Sequence, residues 1–215
     1  MALRVDTDYR SLDKWLNAAI VQLSESPELS SVELGPSEHI HKMVEYLKDE
    51  MQILSPNSEI IIDFEKCTGQ HSGIIKLVCG LLSDSIRNVF PNRKINMLLV
   101  NKFWSDAPEF HVDSTFATVI IPINNAPTHL SSDNFVGASE DAFESVGMMM
   151  PLAVSMLRTA ERPRDIETSD LKLPLMLKGT KWGSGHRAAV HSPPSKALLG
   201  GKKAKLATAL IVDIS

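Results

Sequence analysis

The apolar residues Leu12, Trp15, Leu16, Ala19 and Ile20 recur three and four positions apart, and Ile40, Met43, Val44, Leu47 and Met51 do the same after Ser37. That period puts each set on one face of an α-helix, so two amphipathic packing helices are predicted, the second with Ser37 as its N-cap. A third helix is predicted over 72–90, where Ile75, Val78, Leu82, Ile86 and Val89 keep the period until Pro91-Asn92 stops it. Between the second and third helices the run EIIIDF at 59–64 reads as a short strand.

Beyond residue 92 the texture changes. Strands are predicted over 94–103, 116–123, 173–177, 188–191 and 206–214, separated by clusters of Pro, Gly, Asn and Ser. Short strands bounded by turn residues close most readily into a barrel or a two-sheet sandwich. Residues 133–170, with the acidic SEDAFES, the run MMMPLAVSML and the charged ERPRDIETSD, are predicted to be an insertion or lid that contains a helix. No internal repeat is visible. The expected architecture is a single α+β domain over 1–215: a mainly helical part at 1–92 packs on a β part at 93–215, from which 133–170 is inserted.

Composition narrows the class. With 43% apolar and 22% charged residues the chain has the material for a packed core, which excludes a disordered or fibrous protein. Apolar stretches such as 97–100 and 146–154 fall well short of the roughly 20 residues of a membrane span, so no membrane association is expected. Residues 1–10 carry no apolar signal block, and a cytoplasmic location is expected. Cys67 and Cys79 are too few for a disulfide framework and read as buried free thiols. The net charge of −4 argues against a nucleic-acid partner. It is unevenly spread: residues 1–157 carry 11 basic and 21 acidic side chains, leaving 11 and 5 for 158–215. An anionic ligand would favour the second part, although a solvated basic face accounts for the same asymmetry.

The candidate chemistry sits in PEFHVDSTFATVIIPIN. In an extended segment residues i and i+2 point to the same face, so His111 and Asp113 present an imidazole and a carboxylate together. A second imidazole, His191, ends the strand candidate AAVH before a Pro-Pro stop. Two histidines and one carboxylate form the facial triad of non-haem Fe(II) oxygenases, and the same donors also suit Zn²⁺. An HxD pair alone has a plainer reading as a hydrogen-bonded pair at a strand end. His186 competes with His191 for the distal position but stands beside a Gly-Ser-Gly loop, where exposure is expected.

The order HxD, distal His, late basic strand resembles the Fe(II)/2-oxoglutarate oxygenases, which implies a double-stranded β-helix of jelly-roll or cupin-like form. The phrases FHVDSTFATVIIPI, NNAPTHL, LPLMLKGTKW, VHSPP and ATALIVDI more closely resemble an uncharacterised bacterial family, domain of unknown function 1826, over nearly the whole chain. That family's pattern has an Arg after the distal His and another opening the last strand. Here the positions read His191-Ser192-Pro193-Pro194 and Ala207.

The resemblance implies Fe(II) held by His111, Asp113 and His191, 2-oxoglutarate as co-substrate, and hydroxylation or demethylation of an unknown small-molecule or protein substrate. Lys205 is the substitute for the missing Arg, since on an extended strand it shares the face of Ala207, Ala209 and Ile211; Lys202 and Lys203 compete with it, as does an exposed turn position. Trp182 and His129 are the expected pocket residues, with a core role open for Trp182 and a surface role for His129. The alternative is a non-catalytic metal-binding protein of zinc or metal homeostasis. His39 and His41 diverge by about 200° on a helix and cannot share an ion, and His71 reads as a surface residue. GKK at 201–203 lacks the glycines of a phosphate loop, and no nucleophile triad stands out.

Overall fold

The computed structural model describes residues 3–5, 12–35, 38–51, 55–62, 80, 82, 84–124, 127–131, 143–146, 156–159, 165–170, 173–200 and 205–215. Ser37, His71, Cys67, Cys79 and the start of the helix expected from 72 lie outside them, as do Lys202 and Lys203.

Helix α1 (Leu12–Glu25) buries Leu12, Trp15, Leu16 and Ala19 of the predicted stripe, with Leu23 one turn further on, while Ile20 is only partly buried. It ends before Ser26-Pro27, because the residue ahead of a proline is pushed out of the helical region. Helix α2 (Glu38–Met51) buries Ile40, Met43 and Leu47, and on its wet face a Glu38–Lys42 pair one turn apart closes at 2.7 Å. Residues 84–89 are helical and bury Ile86. All three pack into one core with the outer face of a large sheet, through Met97, Leu99, Val119, Ile121, Met176, Leu210 and Val212. Burying each such side chain contributes about 1.5–3 kcal/mol, so this layer is the main source of stability.

The strands are β1 (Leu3–Val5), β2 (Ser31–Leu34), β3 (Ser58–Ile62), β4 (Ile95–Phe103), β5 (His111–Asp113), β6 (Ala117–Asn124), β7 (His129–Ser131), β8 (Phe143–Val146), β9 (Met156–Thr159), β10 (Ile166–Thr168), β11 (Leu175–Lys178), β12 (His191–Ser192) and β13 (Leu206–Ile214). They form a seven-stranded sheet ordered β1-β2-β11-β6-β13-β4-β3 and a six-stranded sheet ordered β10-β7-β12-β5-β9-β8. From β4 onward the chain steps between them: β4, β6, β11 and β13 lie in the large sheet, and β5, β7, β10 and β12 in the small one. Every pairing except β1 with β2 is antiparallel. This interleaving is the strand order of a double-stranded β-helix, so the fold is α+β with helices packed on a jelly roll, as expected.

Residues alternate faces along a strand, and the core clusters reveal which face is which. Leu175 and Leu177 of β11 and Ile120 of β6 pack with Leu130 of β7 and Ala189, across the space between the sheets. On β13, Leu210 and Val212 face the helices, so Ala207, Ala209, Ile211 and Asp213 face the interior. Three of these interior positions are only partly buried, and two are alanine, which leaves room between the sheets.

Two sequence expectations are corrected. Within 133–170 the described residues form strands, β8, β9 and β10, where a helix-containing insertion was expected; β8 and β9 extend the small sheet beyond β5. The mainly helical first 92 residues also supply both edges of the large sheet: β3 is the strand expected at 59–64, while β1 and β2 were not expected, being three and four residues long and too short for an alternation to stand out.

Candidate metal centre

Phe110, Val112 and Val190 pack together on the outer side of the small sheet, which turns His111, Asp113 and His191 to its inner face. In the ladder between β5 and β12, His191 is the Cα partner of His111. Directly opposed residues share a face, so one backbone pairing brings the two imidazoles together. The donor atoms of His111, Asp113 and His191 all lie within 4.8 Å of one another. His191 and Asp113 are 5% exposed.

The hydrogen bonds select the tautomers. His111 donates from Nδ1 to the carbonyl of Glu109 at 2.9 Å, and His191 donates from Nδ1 to the carbonyl of Ala189 at 3.1 Å. A carbonyl only accepts, so Nδ1 carries the proton in both rings and Nε2 is the lone-pair nitrogen of each. Both Nε2 atoms turn to Asp113: His111 lies 3.6 Å from Oδ1 and His191 3.5 Å from Oδ2. These separations are long for hydrogen bonds and near the roughly 3.0–3.4 Å between neighbouring donors around one ion with bonds of about 2.1 Å. The donor set therefore fits Fe(II) or Zn²⁺ on chemistry, tautomer and spacing.

A further carboxyl group, missed in the sequence, stands inside the barrel. Asp213 of β13 accepts from Thr118 Oγ1 at 3.2 Å, and Thr118 in turn meets Thr115 Oγ1 at 3.2 Å. Burial pushes the Asp213 carboxyl up to about 7, and the charge of Asp113 adds to the rise. Parity along β13 puts it on the same face as Ala207, Ala209 and Ile211, but nothing in the local sequence singles it out.

The expected pocket residues are placed elsewhere. His129 pairs with Ser192 and Leu130 with His191, so His129 points to the outer face of the small sheet, away from the triad. There it is fully buried, meets Thr168 Oγ1 at 3.2 Å, and accepts at Nε2 from the Ser195 N–H at 3.4 Å; burial holds its pKa below the ordinary histidine value. Trp182, partly buried, stacks on Phe116 at 4.5 Å and packs against the helix-side core, in keeping with the core role left open for it. For His129 a one-residue offset in pairing decides the face. His186 is partly buried, not exposed, with Nδ1 3.1 Å from Lys178 Nζ. Lys205 is exposed and holds its amine 5.1 Å above the Trp104 ring.

No protein-family model matches the chain, so the resemblance to domain of unknown function 1826 stands on the quoted phrases alone, and no curated protein matches it. Among solved structures it is similar to a Pseudomonas putida prolyl-4-hydroxylase (9% identity, 93% of this chain and 97% of that one, TM-score 0.49). It is also similar to the epimerase SnoN, solved with Fe3+, alpha ketoglutarate and nogalamycin RO (10% identity, 92% and 84% coverage, TM-score 0.45). A prolyl 4-hydroxylase from Phytophthora capsici is a third (11% identity, 98% and 67% coverage, TM-score 0.47). The fold assignment rests on the strand order described above.

Proposed function

We propose that this chain is an Fe(II)- and 2-oxoglutarate-dependent oxygenase, a hydroxylase or demethylase of a small-molecule or protein substrate. The observation that carries the reading is the convergence of two Nε2 atoms, on rings oriented by Nδ1 bonds to main-chain carbonyls, on the two oxygens of one carboxylate. Three protein donors leave positions open for co-substrate and O₂. Fe(II) held there by His111, Asp113 and His191 would supply the oxidation, with 2-oxoglutarate as co-substrate.

The protein's part is to hold donors and a co-substrate. His111 and His191 keep their ring orientation through Glu109 and Ala189, while Asp113 contributes the charge that neutralises half of a divalent ion. Lys205, exposed at the residue before β13, continues the parity of Ala207, Ala209 and Ile211 and is the proposed partner for the distal carboxylate of 2-oxoglutarate. Its amine would leave the Trp104 ring to meet it.

The resting place of Lys205 on Trp104 favours a second reading, a metal-binding protein that uses the triad for Zn²⁺ without catalysis. Metal analysis of protein purified without added metal, followed by anaerobic titration with Fe(II) and then 2-oxoglutarate, separates the two. A new visible charge-transfer band supports the oxygenase. Fe(II) binding with no such band moves the assignment to the metal-binding protein.

A further inference from the structure

We propose that Gly179 and the main-chain N–H of Thr180 are positioning residues for Asp113, a role that rests on the metal reading above. Strand β11 pairs with β6 as far as Lys178 opposite Ala117. The chain then continues along the segment that carries the carboxylate: Gly179 donates to the carbonyl of Phe116, Thr180 to that of Asp113 and Lys181 to that of Thr115, each at 2.9 Å. Three successive amides thus grip residues 113–116.

Only glycine permits this approach. A Cβ at position 179 would lie 2.1 Å from the Thr115 carbonyl oxygen and 2.5 Å from its Oγ1, far inside van der Waals contact. The requirement is for space, because the atom in the way is main chain and cannot rotate aside. On its other side the segment is held by the Thr115–Thr118–Asp213 chain of side-chain contacts.

The clamp itself cannot drift. Lys178 is buried, and its ammonium donates to the carbonyl of Ser26 just past α1 at 2.9 Å and lies 3.1 Å from His186 Nδ1. The two histidines are oriented by their own Nδ1 bonds, to Glu109 and Ala189, and the Ala189 amide donates to the Lys178 carbonyl at 2.8 Å, so His191 is tied to the same strand end that carries the clamp. The loop at 179–181 therefore sets where Asp113 stands relative to the imidazoles, and a shift there changes metal geometry without touching a ligand. By reciprocity, an ion that fixes Asp113 also steadies the loop.

The test uses the intact chain and Zn²⁺ alone. In wild-type protein, amide hydrogen exchange by NMR should slow at Gly179, Thr180 and Lys181 by at least about tenfold when Zn²⁺ binds, while Leu199, whose amide bonds to the Ser195 carbonyl away from the clamp, is unchanged. Bound Zn²⁺ with unaltered exchange at all three overturns the proposal. Gly179→Ala should weaken Zn²⁺ binding about 10- to 100-fold and alter the visible spectrum of the Co²⁺ form, whereas Ser184→Ala, on the exposed part of the loop, changes neither. A folded Gly179→Ala variant with wild-type affinity and spectrum likewise overturns it. If that variant does not fold, the exchange measurement decides. Failure of the wild type to bind any divalent ion removes the metal reading itself, and the positioning role with it.

Discussion

His111 and His191 are cross-strand partners whose ring centroids stand 4.3 Å apart, tilted by 55°. Their strands are three and two residues long, so the whole donor arrangement depends on one short antiparallel ladder between distant parts of the sequence. Asp113, one face-repeat along from His111, completes the set.

Loss of any donor should therefore abolish tight binding. His111→Ala, Asp113→Asn and His191→Ala are each expected to weaken Zn²⁺ or Fe(II) affinity by at least about a hundredfold, since a two-donor site lacks the third bond and, for Asp113, the charge. Isothermal titration on folded variants checks this; any one variant that retains wild-type affinity removes that residue from the site.

Lys205→Ala tests the co-substrate partner. A charged hydrogen bond contributes about 1.5–3 kcal/mol, so 2-oxoglutarate binding to the Fe(II) form should weaken roughly ten- to a hundredfold with metal content unchanged. Equal affinities would show that the amine stays on Trp104.

Trp182→Ala should destabilise the fold and spare the metal. The ring stacks on Phe116 against the helix-side core, and loss of a large aromatic costs on the order of 3 kcal/mol in stability. A thermal melt read beside a Zn²⁺ titration separates the two effects, and a large fall in affinity would return Trp182 to the pocket.

Lys178 makes stability pH-dependent on the alkaline side. Burial draws its amine down to about 8 from 10.5, against a smaller opposing pull from Glu28. The unfolded chain then binds more protons than the folded one between about pH 8 and 10.5, so stability rises with pH across that window. Denaturant titrations at pH 7.5 and 10 should show the rise in wild type and its loss in Lys178→Met.

Asp213 acts in the opposite direction. With its carboxyl raised to about 7 from 3.8, the folded chain keeps a proton that the unfolded chain releases. Metal-free protein should lose stability, on the order of a few kcal/mol, as pH rises from about 4 to 7. Asp213→Asn should flatten this part of the profile; an unchanged slope would assign it to other groups.

Much of this protein is written in local pattern. The stripe Leu12 to Ile20 marks α1, the apolar run 206–214 marks β13, and the two-residue repeat of HVD puts His111 and Asp113 on one face whatever the strand pairs with. Periodicity and parity act through a residue's own neighbours, so one sequence suffices to read them. The rest follows from contacts between distant segments. Strands β5, β7 and β12 are too short to carry a pattern, and their register alone turns His191 inward and His129 outward. The hairpin β8–β9 in what looked like an insertion, the stacking of Trp182 on Phe116 and the space that excludes a side chain at Gly179 have the same origin. A one-residue change in pairing reverses every side chain's face, and that choice belongs to the tertiary structure because it is made by the packing of all the strands together.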